Sequence, residues 1–70
     1  MEVEKIFAER LKELRHENNL SMKKLAEKIG VSDAAIARWE YCERSINLYN
    51  LVAIAKYFNV TTDYLCGLED

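Results

Sequence analysis

The sequence has no proline and only two glycines, Gly30 and Gly67. Proline breaks helices and glycine weakens their interiors, so little stops this chain from being helical almost throughout. Its two cysteines, Cys42 and Cys66, are too few for a disulfide framework, and with His16 as the single histidine they lack zinc-ligand spacing. The longest unbroken apolar run is LVAIA at 51–55, far short of the roughly 20 residues that cross a bilayer. The opening MEVEK is acidic and has no apolar stretch behind it, unlike a secretory signal. These absences argue against an extracellular scaffold, a zinc finger and a membrane protein. The expectation is a soluble, cytoplasmic chain with no metal and no cofactor.

A strong excess of positive charge is also missing. The net charge is −2 and the pI about 5.4, which speaks against nucleic acid because phosphate contacts need Lys and Arg. The distribution softens that objection. Residues 10–44 hold eight basic and six acidic side chains, while 1–9 and 45–70 each carry −2. A polarised molecule can still present a mildly basic face.

Seventy residues suit one domain, 1–70, near the lower limit for folding unaided, with about 60% of the unfolded surface buried. Val3, Phe7, Leu11 and Leu14, with Ile6 beside them, form one stripe of a helix over about 3–18, which Asn18-Asn19 ends. Ser21 can cap a second helix with Leu25, Ala26 and Ile29 inward, and Gly30 suits its C-terminal end. Ser32 caps a third, with Ile36 and Trp39 inward and Val31 as the plug between the two. So tight a joint as GVS makes the pair a helix-turn-helix at about 21–41. Asn47 can cap a fourth helix with Leu48, Leu51, Val52, Ala55 and Phe58 inward, ended by Asn59. Thr61 or Thr62 caps a short fifth, whose Tyr64, Leu65 and Leu68 fold back as a lid. The fold class is all-α, a compact five-helix orthogonal bundle around a central helix-turn-helix.

LSMKKLAEKIGVSDAAIARWE followed by LVAIAKYFNVTTDYLCG resembles the Cro/phage-repressor (XRE) helix-turn-helix family, from about Phe7 to Leu68. The resemblance implies the lambda-repressor-like fold and a cytoplasmic, bacterial or phage-encoded regulator. Such a regulator binds double-stranded DNA as a homodimer and represses at a pseudo-palindrome. It also implies an ion pair between Arg15, ending the first helix, and Glu40, ending the third. Where the family opens its second helix with a phosphate-gripping Gln, this chain has Met22, leaving Ser21, Lys23 and the helix amides. Where the family has Asn-Gly after the third helix, this chain has Tyr41-Cys42, then Glu43 and Arg44. Arg44 keeps a phosphate-contact role. Losing the glycine means that the helix runs on a turn, or that Cys42 is strained by about 1–2 kcal/mol.

The third helix, SDAAIARWE, is the reading element by that resemblance. At about 100° per residue, Ile36, Trp39 and Glu40 face inward, while Ala34, Ala37, Arg38 and Tyr41 face outward with Asp33 at the flank. Ser32 belongs to its first exposed turn. Arg38 suits guanine, Asp33 the cytosine amino group, and Ala34 and Ala37 a thymine methyl. Tyr41 can donate to a phosphate. Asp33 equally suits a helix N-terminus, and an exposed Arg is ordinarily a solvated charge. Tyr49 and Tyr57 lie off the buried stripe of the fourth helix; an interface and plain half-exposure fit them equally. By resemblance, the last two helices, with Tyr57, Tyr64 and Leu68, form the dimer surface.

A second reading is an interaction module, antirepressor-like or antitoxin-like, that keeps the fold and gives up DNA. Met22, Asp33, Glu43 and the bare Ala34 and Ala37 face motivate it. An enzyme is not expected, since no nucleophile–base pair or glycine-rich phosphate loop is present. No small-molecule ligand site is legible either.

Overall fold

The computed structural model describes residues 2–69 and consists of five helices. They are α1 (Glu2–Glu17), α2 (Met22–Ile29), α3 (Asp33–Glu40), α4 (Leu48–Phe58) and α5 (Thr62–Cys66). The start signals read from the sequence hold at atomic level. Ser21, Ser32, Asn47 and Thr61 each accept a bond from the amide three residues on, at 3.1, 3.1, 2.8 and 3.0 Å. Each satisfies an amide that the helix itself leaves unpaired.

All five helices stop in the same way. Asn19, Gly30, Cys42, Asn59 and Gly67 take left-handed backbone, and the following amide reaches back to a carbonyl of the last turn. In α3 the Glu43 amide meets the Arg38 carbonyl at 2.8 Å and the Cys42 amide meets Trp39 at 3.2 Å. That is a Schellman closure with a cysteine where glycine is ordinary. The helix therefore does not run on; Cys42, at φ 58°, carries the strain. Gly67 has a second reason to be glycine, because a Cβ there would lie 2.8 Å from the Ile6 side chain.

The core draws on every helix: Phe7, Leu11 and Leu14, then Leu25 and Ala26, Ile36 and Trp39, Ile54 and Ala55, and Leu65. Helix α2 packs on α3 and α4, while α1 packs on α3 and α5. Val31 is half-buried against this core, as a plug between α2 and α3 should be. Arg10 fastens the five-residue α5, too short to be stable alone. Its guanidinium lies 4.4 Å from the centre of the Tyr64 ring and donates to the carbonyls of Tyr64 and Glu69.

Three expectations fail. In α4 the inward residues are Ile54 and Ala55, with Leu51 and Phe58 partly covered, whereas Leu48 is 79% exposed and Val52 is also exposed. LYNLVAIAKYF is apolar on most of its circumference, so two overlapping stripes satisfy the helical period and only the neighbours choose between them. Leu68 also lies outside the lid, at 76% exposure. The left-handed turn at Gly67 ends α5 before Leu68 can join its buried face. Val3, the first member of the α1 stripe, is exposed as well.

The ion pair is buried and bidentate. Arg15 Nε donates to Glu40 Oε2 at 2.7 Å and Nη2 to Oε1 at 3.0 Å, while Nη1 donates to the Leu20 carbonyl at 2.9 Å. The bonds to Glu40 raise the Arg15 guanidinium above its ordinary pKa. Burial opposes that shift without cancelling it. Removing one partner strands the other, at a cost of about 3–5 kcal/mol. That is much of the roughly 4–10 kcal/mol expected for a chain of this size.

Urea unfolding of Glu40→Ala should show that loss, whereas Arg15→Met with Glu40→Leu should recover most of it; equal damage in both would refute the stranded-charge account. Cys42→Gly should raise stability by about 1 kcal/mol, or about 4–8 °C in Tm. Cys42→Ala should change stability by less than about 0.5 kcal/mol, showing that the backbone angle and not the thiol matters.

Candidate nucleic-acid interface

The surface of α3 follows from its burial pattern. Ile36, Trp39 and Glu40 are buried, which turns Ser32, Asp33, Ala34, Arg38 and Tyr41 to solvent and leaves Ala37 half-covered. Ser32 spends its hydroxyl on the Ala35 amide, so it holds the helix end as well as standing on the exposed turn. Asp33 lies in the first turn, where a carboxylate interacts favourably with the helix dipole. Arg38 and Tyr41 are free of ion pairs and side-chain hydrogen bonds among the described residues.

Glu40 connects this helix to α1. Its carboxylate is held by Arg15 from the last turn of α1, so the axial position of α3 is set by a bond from two helices earlier in the chain. Helix α2 sets the other coordinate, through Leu25 and Ala26 behind the turn at Gly30. At the start of α2, Ser21 and Lys23 are exposed, and Ser21 caps the helix. Met22 is half-buried against the core. Its side chain replaces a polar contact with packing, which leaves the anion-attracting amides of the helix end exposed beside it.

The loop after α3 brings Arg44 to the same edge. A shallow depression beside α3 is lined by Arg38, Arg44, Ser45, Asn47 and Asn50, with Ala35 and Trp39 at its base. Arg38 and Arg44 are thus gathered at one rim; Ser21, Met22 and Lys23 do not line it. Asn50 and Ser45 were missed by reading the sequence, and Asn47 was read only as a cap. The signal existed: Asn50 sits three residues after the α4 cap, on the turn that faces back toward the Arg44 loop.

The first turn of α1 anchors that loop. Ser45 Oγ donates to Glu4 Oε2 at 2.6 Å, and the Cys42 thiol lies 3.8 Å from the Glu4 carbonyl oxygen. The bond from Ser45 holds the Glu4 carboxyl below its usual pKa. Arg38, Arg44, Asn47 and Asn50 thus form a strip of hydrogen-bond donors, two of them guanidinium, along an alanine-lined helix. Chemically such a strip suits phosphate oxygens at its edge and base edges along its middle.

Comparison with known proteins agrees with this geometry. The helix-turn-helix family profile matches residues 11–65. The chain is 35% identical over 65 residues to the uncharacterized HTH-type transcriptional regulator YobD of Bacillus subtilis, covering 93% of this chain and 58% of that protein. It is 41% identical over 64 residues to the HTH-type transcriptional activator BcrR of Enterococcus faecalis, covering 91% of this chain and 31% of that protein. The chain thus spans between a third and three-fifths of these relatives, roughly. Among solved structures, the P22 c2 repressor in complex with a synthetic operator superposes with a TM-score of 0.84 at 32% identity, over 90% of this chain and 96% of that one. By these likenesses the chain belongs to the helix-turn-helix family of the Cro and phage-repressor type.

Proposed function

We propose that this chain is a sequence-specific DNA-binding transcriptional regulator of the bacterial or phage cytoplasm. In this reading it acts as a dimeric repressor on a pseudo-palindromic operator. The observation that carries the reading is the exposed Arg38 edge of α3, continued by Arg44, Asn47 and Asn50, in a fold that superposes on an operator-bound repressor. Arg38 reads guanine through two parallel bonds, and Ala34 and Ala37 let the helix lie deep against thymine methyls. Asp33 accepts from a cytosine amino group or serves the helix end. Ser21, Lys23, Tyr41, Arg44 and the amides opening α2 hold phosphates.

What supports the dimer is the face that α4 leaves uncovered. Leu48, Tyr49, Val52 and Tyr57 are exposed on that helix, and burying such apolar surface against a second copy is favourable. Tyr64 is less available than the sequence suggested, because Arg10 covers its ring. We therefore assign the seam chiefly to α4, flanked by Leu68. Two reading helices about 34 Å apart would then enter successive major grooves.

Affinity selection from a random duplex pool at low salt, followed by salt titration of the winners, tests the whole reading. An enriched pseudo-palindrome with a clear salt slope is expected. A folded protein that enriches nothing, and instead binds a protein partner, would establish the interaction module. Arg38→Ala should cost about 1–3 kcal/mol at one base pair and relax preference there. Lys23→Ala should weaken all duplexes alike and lower the salt slope by about one. Equal losses on every duplex from Arg38→Ala would reduce it to a phosphate contact. Sedimentation of Tyr49→Glu should give monomer where the parent chain gives dimer; an unchanged dimer would move the seam elsewhere.

A further inference from the structure

Next to the depression beside Arg38 lies a half-open cavity of about 170 Å³, where the first turns of α1 meet the 41–47 loop, α4 and the end of α5. Its floor is apolar, formed by Phe7, Trp39, Ile46, Leu51 and Cys66. Its polar groups are Glu4, Arg44 and Ser45. Because Arg44 and Ser45 are exposed while Phe7 and Trp39 are buried, these two polar groups stand at the rim, with the half-buried Glu4 bonded to Ser45 beside them.

We propose that this cavity binds a small uncharged molecule with one apolar ring and one carbonyl, and that its occupancy weakens DNA binding through Arg44. The second half rests on the regulator reading above. Size comes first: an apolar protein cavity of about 150 Å³ accepts benzene, so this one holds a single ring. Charge comes next. Among the described residues the rim carries one carboxylate and one guanidinium, whose charges offset each other. Ser45 already gives its hydroxyl proton to Glu4. Arg44 is paired with no carboxylate among the described residues, and a guanidinium has donors but no acceptor. A donor above an apolar floor recognises an acceptor on an apolar body, for which a carbonyl oxygen is the simplest neutral form.

The coupling is geometric. Trp39, Arg44 and Ser45 line this cavity and also the depression beside Arg38. Arg44 therefore turns either to a carbonyl in the cavity or to a phosphate outside it. A ligand that engages it weakens DNA binding, and DNA weakens the ligand by the same factor.

Trp39 is the only tryptophan, so its emission reports on the site without a label. Benzamide titrated into the full chain without DNA should give a saturable change with a Kd of about 1 mM, within reach of about nine heavy atoms. Benzoate should bind about tenfold more weakly, because its carboxylate gives up strong hydration at a rim where Glu4 offsets the pull of Arg44. Val3→Phe, at a wall residue outside the reading face, should fill the space and abolish benzamide binding while leaving DNA affinity unchanged. If that variant does not unfold cooperatively on heating, Cys66→Leu fills the cavity from the other side. Saturating benzamide should then lower affinity for the selected duplex at least about fivefold in the parent chain and leave the filled variant unaffected. A non-saturating response, or one identical in the parent and filled chains, overturns the site. Saturable binding with unchanged duplex affinity overturns the coupling. If no duplex is selected, the regulator reading fails alone, and the Trp39 titration still decides whether the cavity is a ligand site.

Discussion

Arg15 and Glu40 are the two charges that this small core encloses, and the position of the reading helix depends on how they are held. A buried bidentate pair of this kind is a poor source of net stability, because desolvation offsets most of the attraction. Its value here is geometric. Two parallel bonds fix the angle between the end of α1 and the end of α3, and a third bond from the same guanidinium holds the Leu20 carbonyl in the turn that leads into α2. One side chain thereby positions the first helix, the entry to the second and the exit of the third. An apolar substitute could fill the volume, but it would not specify the angle. For the groove-reading surface proposed above, which needs a match to within about an ångström, that specification matters more than the energy.

The reading surface built on this frame divides its labour unevenly. The middle of α3 offers methyl groups, while its polar groups gather at the edges: Asp33 near the beginning, Arg38 near the end, and Arg44, Ser45, Asn47 and Asn50 across the depression. The edge is as much a product of α4 and the loop as of the helix-turn-helix. Two of the carboxylates near it are engaged elsewhere, while Asp33 and Glu43 stay exposed. Glu40 is sealed against Arg15 and Glu4 is bonded by Ser45.

The loop from Tyr41 to Asn47 is where structure and function meet under strain. Cys42 adopts backbone that glycine would adopt freely, and the residues after it are fastened to the first turn of α1 through Ser45 and the Cys42 thiol. Arg44 sits between these fastenings. The start of α1 is thus tied to the loop that carries Arg44, at the edge proposed to face DNA.

Most of the local structure was legible in the chain because its causes are local. Ser21, Ser32, Asn47 and Thr61 announce helix starts through hydroxyl or amide groups placed three residues before an unpaired N–H, and Asn19, Gly30 and Asn59 announce ends through their tolerance of left-handed backbone. The Arg15–Glu40 pair and the outward set on α3 were also readable, the first from the family likeness and the second from a step of about 100° on a helix with one apolar side. What the chain could not decide by itself was any choice among near-equivalent surfaces. Leu48 and Val52 belong to one apolar stripe of α4 and Ile54 to another, and only the placement of α2 and α5 buried the second. The same holds for the gathering of Asn50 with Arg38, and for the cavity that Phe7, Leu51 and Cys66 share. Those residues are distant in sequence, and no local periodicity encodes which of them will meet. Helix ends are settled within a few residues of backbone; which faces meet is settled only when all five helices compete for one small core.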